Sequence, residues 1–173
     1  ITISATGDNV VTSTVANLGG DITNEGNLLL SGTLDKAIAG NTGVTKINEN
    51  LAITTGSIAG TLDMNGGTLS LVDSTPAYTN YSVGTLKGSG NLEIDFNGTS
   101  TDSITANSSE TGTITITALN GFTDTSEVDA KTILLGAGNI TLDVSSALRA
   151  AFDDTVIPPD NYDIDPILSA ASW

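Results

Sequence analysis

The chain has 173 residues with neither cysteine nor histidine, and its 20 acidic and 5 basic residues give a formal net charge of −15. This charge disfavours nucleic acids and anionic membranes as partners, and the absence of histidine excludes a Ser-His-Asp triad. Hydrophobic residues make up 38% but aromatic residues only 4%, so the core has to be built from Leu, Ile, Val and Ala.

The N-terminal end does not have the residue pattern of a signal peptide. Residue 1 is Ile, and no basic stretch followed by an apolar run comes after it. No apolar segment approaches the length of a membrane span. We therefore expect no signal peptide here and no membrane insertion by this fragment, which is expected to come from a longer or processed chain.

A short phrase of loop residues running into alternating apolar residues recurs along the chain, at 26–30, 49–53, 66–71, 88–94, 111–116 and 136–142. The apolar pairs are separated by steps of 23, 18, 23, 22 and 26 residues. A period of about 20 residues is typical of a solenoid, in which stacked units bury a continuous core. The pairs are Leu28/Leu30, Leu51/Ile53, Leu69/Leu71, Leu92/Ile94, Ile114/Ile116 and Ile140/Leu142.

Each period also holds further short strands, such as 56–64, with Gly, Asn, Asp and Ser between them. Three strands per turn predict an all-β fold, a right-handed parallel β-helix, whose six coils would span about 29 Å. A β-sandwich with hairpin turns is the alternative. Five asparagines are candidates for stacked ladders at the corners: Asn24, Asn27, Asn48, Asn50 and Asn65.

The segments ITNEGNLLLSGTL (22–34) and LKGSGNLEIDFNGTSTDSITANSSETGTITITALNGF (86–122) resemble passenger domains of Gram-negative autotransporters, including pertactin-like and self-associating adhesins. In that family a G-S-G-x-L strand precedes a D-x-I/L-x-A/V strand and then a G-T-x-x-I strand. The resemblance implies a β-helical rod carried outside the cell. The matching residues are Gly88, Ser89, Gly90, Leu92, Asp102, Ile104, Ala106, Gly112, Thr113 and Ile116.

Two groups of residues within the repeats are candidates for a site. Tyr78 and Tyr81 interrupt the pattern near Pro76, and they form either an exposed binding bulge or a plain loop covering a core edge. Glu93 and Asp95 alternate with apolar residues, so we expect both on the outward face. Such carboxylates could be catalytic, but they also suit a charged surface that keeps the rod soluble.

The pattern loosens in residues 122–173, which we separate from the coils at 1–121. Two more strands are expected, and then a helix at 145–154 with Ser145 or Ser146 as its N-cap. Prolines 158, 159 and 166 disfavour regular pairing, so the tail is predicted to be a cap or a linker. Its acidic residues form either a solvated loop or a calcium site: Asp153, Asp154, Asp160, Asp163 and Asp165.

These observations predict a non-enzymatic, bacterial surface or secreted adhesin-like fragment, held at the outer membrane by missing segments or released. Its partners would be a host or bacterial surface ligand or a second copy of itself, with no cofactor unless calcium binds. The alternatives are an inert stalk and a polysaccharide-degrading β-helix enzyme. The enzyme would need a cleft of carboxylates with a basic partner, and the chain has only five basic residues.

Overall fold

The structure, a computed structural model, describes residues 2–4, 10–15, 21–54, 56–73, 77–122, 131–155 and 168–171. In these ranges the chain is almost entirely β-structure. The strands are β1 (Thr2–Ile3), β2 (Val10–Val15), β3 (Ile22–Asn24), β4 (Asn27–Leu34), β5 (Ile38–Ala39), β6 (Val44–Ile53), β7 (Ser57–Asp63), β8 (Thr68–Ser70), β9 (Asn80–Lys87), β10 (Gly90–Asp95), β11 (Ser103–Ser109), β12 (Gly112–Asn120), β13 (Lys131–Leu135), β14 (Ile140–Val144) and β15 (Leu168–Ala171).

All of these strands pair in parallel within one continuous sheet that coils into a parallel β-helix. Three ladders run along it. Ladder A comprises β1, β3, β5, the first residues of β7, β9 and β11, then β13 and β15. Ladder B begins with the first half of β4 and the first half of β6. The second halves of β7, β9 and β11 then continue it in that order. Ladder C joins the second half of β4 and β6 to β8, β10, β12 and β14.

Alternation of apolar and polar residues places one face of every ladder in a shared interior. In β6, for example, Ile47, Leu51 and Ile53 are buried while the residues between them are at least partly exposed. The core runs along the whole rod and consists mainly of Leu and Ile. The β-helix prediction is therefore confirmed in architecture, and the structure is not the alternative β-sandwich.

The register of the repeat differs from the sequence prediction at its two ends. Leu51, Leu69 and Leu92 do stack in ladder C, as predicted. Leu28/Leu30, however, lie in ladder B, and Leu34 is the residue that pairs with Ile53. At the other end Ile114 pairs with Leu142, not with Ile140. At the N-terminal end the prediction was wrong because similar apolar pairs occur on more than one side of the coil. At the C-terminal end it was wrong because the register of β14 on β12 is displaced by two residues.

The corner between ladders A and B is formed by stacked glycines without side chains. A Cβ on Gly43 would overlap the Asn24 carbonyl oxygen, and one on Gly60 would overlap that of Gly43. Gly84 faces Ala59 in the same way. The amide N–H of Thr61 donates to Gly43 O at 2.9 Å. At these three glycines, the close approach of the neighbouring coil therefore leaves no room for a side chain.

The predicted asparagine ladders are replaced by mixed contacts. Asn24 is buried, and its Nδ2 donates to Thr45 Oγ1 at 3.2 Å while its Oδ1 accepts from the Gly26 N–H. Asn65, which has a φ of 49°, donates to Ile47 O across a coil boundary. No two asparagine side chains of the described segments bond to each other, so the prediction of stacked ladders was wrong.

Variation in coil length is confined to the corner where the chain leaves ladder C for ladder A. From β3 onward, each of the other corners takes at most four residues between strands. The ladder C to ladder A connections lengthen from 35–37 and 54–56 to 71–79, 96–102, 121–130 and 145–167. We call this side of the rod, formed by the last four of these connections, the loop edge.

The last connection contains helix α1 (Ser146–Thr155). Ser145 is the N-cap, since its Oγ accepts from the Leu148 N–H at 3.2 Å, and its own N–H donates to Ile116 O. Arg149 binds back to Asp143 Oδ1 at 2.7 Å and to Val144 O. The helix prediction is confirmed. Beyond it, β15 pairs with β13, so this part of the tail adds a strand to ladder A despite the preceding prolines.

Candidate functional site

The base of the loop edge holds two fully buried carboxylates. Asp95 ends β10, Asp102 immediately precedes β11, and both have 0% relative exposure. The two residues also bond through their backbones, because the Asp102 N–H donates to Asp95 O at 3.0 Å. The 96–102 connection is thus closed at its base by this pair.

All four oxygens of these carboxylates accept hydrogen bonds. Asp102 Oδ1 accepts from the Thr79 N–H and Oδ2 from the Asp95 N–H, each at 2.8 Å. Asp95 Oδ2 accepts from the Asp73 N–H at 3.1 Å, and its Oδ1 accepts from Asn120 Nδ2. The donors belong to three successive coils, so the pair fastens the connections 71–79 and 96–102 to the end of β12.

Ionisation of Asp102 is costly in this position. Burial raises its pKa from 3.8 to about 6, although hydrogen bonds from the Thr79 and Asp95 amides lower it and the charges of Asp95 and Asp73 raise it further. Desolvation of the charged form is therefore the dominant cause. A carboxyl group with this pKa exchanges its proton in the range between weakly acidic and neutral pH.

Tyr81 lies against the same cluster from β9. Its ring is 3% exposed, and no side chain makes a hydrogen bond of normal geometry to its buried hydroxyl. Burial raises the pKa of this phenol most, followed by the charge of Asp102; the Thr79 side chain lowers it, and the charges of Asp73 and Asp95 raise it further. A buried phenol beside buried carboxylates is therefore part of the base of the loop edge.

Two local features shape the 96–102 connection. Asn97 Oδ1 accepts from the Thr99 and Ser100 N–H groups at 3.0 and 2.8 Å, which fixes a tight turn at the tip. Below it, the rings of Phe96 and Phe122 stack with centroids 5.7 Å apart. The connection is therefore an ordered hairpin with an aromatic base.

The two tyrosines predicted to form a binding bulge are separated by the structure. Tyr78 is exposed, at 38%, and lies on the loop edge. Tyr81 belongs to the core, which excludes an exposed bulge for this residue and agrees with the alternative that it covers a core edge. The reason is the alternation of β9, which turns Tyr81 inward with Val83 while Asn80 and Ser82 face out. Ligand binding by Tyr78 stays a prediction.

The carboxylates predicted to share a solvated outer face also differ. Glu93 is partly exposed, but Asp95 is fully buried, because the hairpin and the neighbouring coils cover it. A carboxylate that substrate cannot reach, with both oxygens bonded to the protein, is suited to positioning loops rather than to acid–base catalysis. Of the two, only Glu93 keeps access to solvent.

The acidic tail lies mostly beyond the described residues. Asp153 and Asp154 fall within α1, whereas Asp160, Asp163 and Asp165 are outside the described ranges. Within those ranges, no group of three or more acidic side chains is arranged to hold a metal ion. A calcium site at the predicted residues therefore stays a prediction.

The outer surface of ladder A is free of charge over the described side chains from β3 to β11. Neighbouring coils bond along it, as when Thr105 Oγ1 donates to Asn80 Oδ1 at 2.8 Å. The residues are small and polar or small and apolar, which makes the face smooth. They are Thr23, Ala39, Ser57, Ala59, Asn80, Ser82, Ser103 and Thr105.

Ladder B carries a row of alternating charges instead. Lys46 pairs in register with Asp63, and Asp63 pairs with Lys87. Lys87 Nζ lies 3.9 Å from both the Asp63 and the Glu110 carboxylates. Ladder C presents Glu93 and Asp143 among threonines and asparagines. Among the described side chains from β3 to β11, ladder A is thus the one face of the three without a charged residue.

Comparison with family models, with curated proteins and with solved structures finds no match to this chain. No helix in the described ranges is long and apolar enough to cross a membrane. Function is therefore inferred from the residues of the chain itself.

Sequence reasoning missed the structural role of the buried pair. Asp102 is part of the D-x-I-x-A motif that carries the autotransporter resemblance, and the motif was a usable signal. Asp95 and Asn120 gave no comparable signal, because their pairing depends on the register between β10 and β12.

Proposed function

We propose that this chain is a non-enzymatic segment of an exported bacterial surface protein, in which a stiff β-helical rod presents faces for adhesion or self-association. The proposal rests above all on the uncharged face of ladder A. In a chain with a net charge of −15, most surfaces repel a second copy or an anionic cell surface. From β3 to β11 the ladder A face adds no charge of its own to that repulsion.

The chemistry of this face suits polar contact with another extended surface. Ser82 and Asn80 are exposed, and Thr105 lies beside them in the next coil. Hydroxyl and amide groups at regular spacing can donate and accept hydrogen bonds at low desolvation cost compared with charges. A second rod and a glycan-coated surface both carry groups that can form hydrogen bonds with these hydroxyls and amides. Of the two, we favour a second copy of this chain as the partner that binds the ladder A face.

The loop edge supports the same function in a second way. Connections that leave a solenoid often carry recognition, and here they lengthen on one side only. Tyr78 is an exposed aromatic residue on this side. The edge is therefore suited to contact a ligand other than a second rod.

The proposal is tested by sedimentation velocity of the purified chain over a range of protein concentrations, with calcium and with chelator. We expect concentration-dependent association of the wild type. Ser82→Asp places a charge on the ladder A face and should abolish association. Thr113→Asp is the matched control, since it adds the same charge at an exposed position on ladder C and should leave association intact.

Each outcome separates the candidate functions. A monomer under every condition would contradict self-association and favour the inert stalk. Equal loss of association in both variants would point to general charge repulsion rather than to ladder A. Calcium-dependent association would implicate the acidic tail. Release of reducing sugars from a glycan by the pure chain would overturn the non-enzymatic assignment.

A further inference from the structure

We propose that Asn97, at the tip of the 96–102 connection, is a site of spontaneous deamidation: the Gly98 nitrogen attacks the Asn97 side chain, ammonia leaves, and residue 97 becomes aspartate or isoaspartate. The inference goes beyond the proposed adhesive role and does not depend on it. Three asparagines in the chain precede glycine and are therefore candidates for this reaction: Asn65, Asn97 and Asn120.

The reaction needs water alone as its co-reactant. Hydroxide takes the proton of the Gly98 N–H, the Gly98 nitrogen bonds to Asn97 Cγ, and the bond from Cγ to Nδ2 breaks. Nδ2 takes a proton from water and leaves as ammonia, which regenerates the hydroxide. Water then opens the five-membered imide at one of its two carbonyl carbons, which yields aspartate or isoaspartate. Glycine after the asparagine favours the attack, because it has no Cβ to obstruct the approach of its nitrogen.

The turn at Asn97 binds the oxygen on which negative charge develops during the attack. Three donors converge on Asn97 Oδ1: the Thr99 N–H at 3.0 Å, the Thr99 hydroxyl at 3.1 Å and the Ser100 N–H at 2.8 Å. Such bonds strengthen as charge builds up on the oxygen, as in an oxyanion hole. They therefore stabilise the transition state more than the ground state.

The nucleophile and the leaving group at this site are not held by the protein. Among the described residues, neither the Gly98 N–H nor Asn97 Nδ2 donates a hydrogen bond. Asn97 is partly exposed and Thr99 is exposed, although Gly98 is buried, so solvent reaches this turn through the two flanking residues. Both groups are thus available for reaction while the side-chain carbonyl oxygen is bound.

The two other asparagines that precede glycine lack this arrangement. At Asn65 the nucleophile is engaged, because the N–H of the following glycine donates to Ser89 O at 2.7 Å. The leaving group is engaged as well, since Asn65 Nδ2 donates to Ile47 O at 3.1 Å. Asn120 Nδ2 donates to the buried carboxylate of Asp95. Reaction at either position therefore requires hydrogen bonds between coils to break first.

Conversion of Asn97 changes the loop edge permanently. Either product adds a negative charge at the tip of the hairpin. Isoaspartate also inserts one more carbon atom into the main chain of a tight turn. That turn is closed by the Asn97 N–H, which donates to Ser100 O at 3.1 Å, and by the antiparallel bridge between Phe96 and Thr101. Older molecules therefore present a different hairpin tip from newly made ones.

The test compares the three asparagines within one protein sample. The purified chain is held at neutral to mildly alkaline pH and digested with pepsin at acid pH, where imide formation is slow. Mass spectrometry then maps the peptides, with aspartate and isoaspartate products separated. In the folded chain we expect Asn97 to react on the order of tenfold faster than Asn65 and Asn120, since one hydrogen bond to a reacting group is worth about that factor. In urea, where these contacts are lost, the three rates should be similar.

A single hydroxyl group tests the role of the turn. Thr99→Val removes one of the three donors to Asn97 Oδ1 and keeps the backbone N–H, so it should slow the conversion of Asn97 several-fold. Thr113→Val is the matched control, because it removes a hydroxyl from an exposed position on ladder C. It should leave the rate at Asn97 unchanged.

Three results would overturn the proposal. The first is conversion of Asn65 or Asn120 in the folded chain that is as fast as that of Asn97. The second is an unreactive Asn97 in the folded chain when the chain in urea reacts at all three positions, which would mean that the turn restrains the side chain. The third is a rate in Thr99→Val that equals or exceeds that of the wild type. The comparison among asparagines uses the wild type alone, so the test holds even if a variant fails to fold.

Discussion

The stacking of coils at the glycine corner can be tested with a single methyl group. Gly60 has no positive φ, so alanine is compatible with its backbone conformation. A Cβ at this position would nevertheless overlap the Gly43 carbonyl oxygen of the preceding coil and approach Gly40 O to 2.9 Å. Both neighbours are backbone atoms, which cannot turn aside as a flexible side chain would.

The expected cost of Gly60→Ala follows from that rigidity. Overpacking a well-packed interior costs about 1–3 kcal/mol, and contact with a backbone carbonyl belongs at the upper end or above. The same carbonyl accepts the Thr61 N–H at 2.9 Å, so moving it also lengthens a hydrogen bond between coils. We expect a loss of about 3 kcal/mol or more in the free energy of unfolding.

The control is Gly66→Ala, four residues before Ser70 and in the same coil. Its Cβ would meet nothing within 4 Å, but its φ is 78°, so the substitution costs only the strain of a left-handed residue. That strain is about 1–2 kcal/mol. Urea unfolding followed by circular dichroism gives both values. Equal losses, or a smaller loss in Gly60→Ala, would refute the register of Val44 on Thr61 from which the overlap is derived.

Three further predictions concern the site, the helix and the charged row. The pKa of Asp102 is higher folded than unfolded, so its contribution to stability is complete below about pH 3.8 and is lost as pH rises through about 6. The free energy of unfolding in urea should fall by about 3 kcal/mol from acid to neutral pH relative to Asp102→Asn, and parallel pH profiles would contradict this. Ser145→Ala should cost about 1 kcal/mol in the same assay by removing the N-cap, and an unchanged midpoint would mean that the cap is dispensable. Lys87→Met should cost at most about 1 kcal/mol, less at high salt, since its ion pairs are 3.9 Å long and partly exposed; a loss that salt does not reduce would argue against an electrostatic origin.

Much of the architecture was predictable because it depends on local patterns. Alternation within each strand and glycine or asparagine between strands follow from the geometry of a single coil. Register was less predictable, because it depends on which side of the coil a strand occupies. Leu28/Leu30 and Leu51/Ile53 look alike in sequence, yet they lie in ladders B and C, respectively. A fixed period cannot reveal this when the connections vary in length.

The site was less predictable than the fold for a related reason. Alternation places Asp95 on the side of β10 opposite Ile94, but the strand pattern does not predict whether that side chain is buried. Its burial results from Asp73, Asp102 and Asn120, which come from other coils or from a hairpin. A buried polar cluster whose residues come from several coils produces no periodic pattern in the sequence. Its members become neighbours only through the register of the strands in three dimensions.

The position of the buried pair explains how one corner of the rod can accept two of its long connections, 71–79 and 96–102. A long connection at a coil corner leaves backbone N–H groups without strand partners, and those groups need acceptors if they are covered. Asp95 and Asp102 supply acceptors to Asp73 and Thr79 at the point where the connections begin and end. Burial of these two carboxylates also has a free-energy cost, because burial disfavours the charged form. The uncharged part of ladder A, from β3 to β11, therefore lies beside connections whose backbone N–H groups are held by buried acidic side chains.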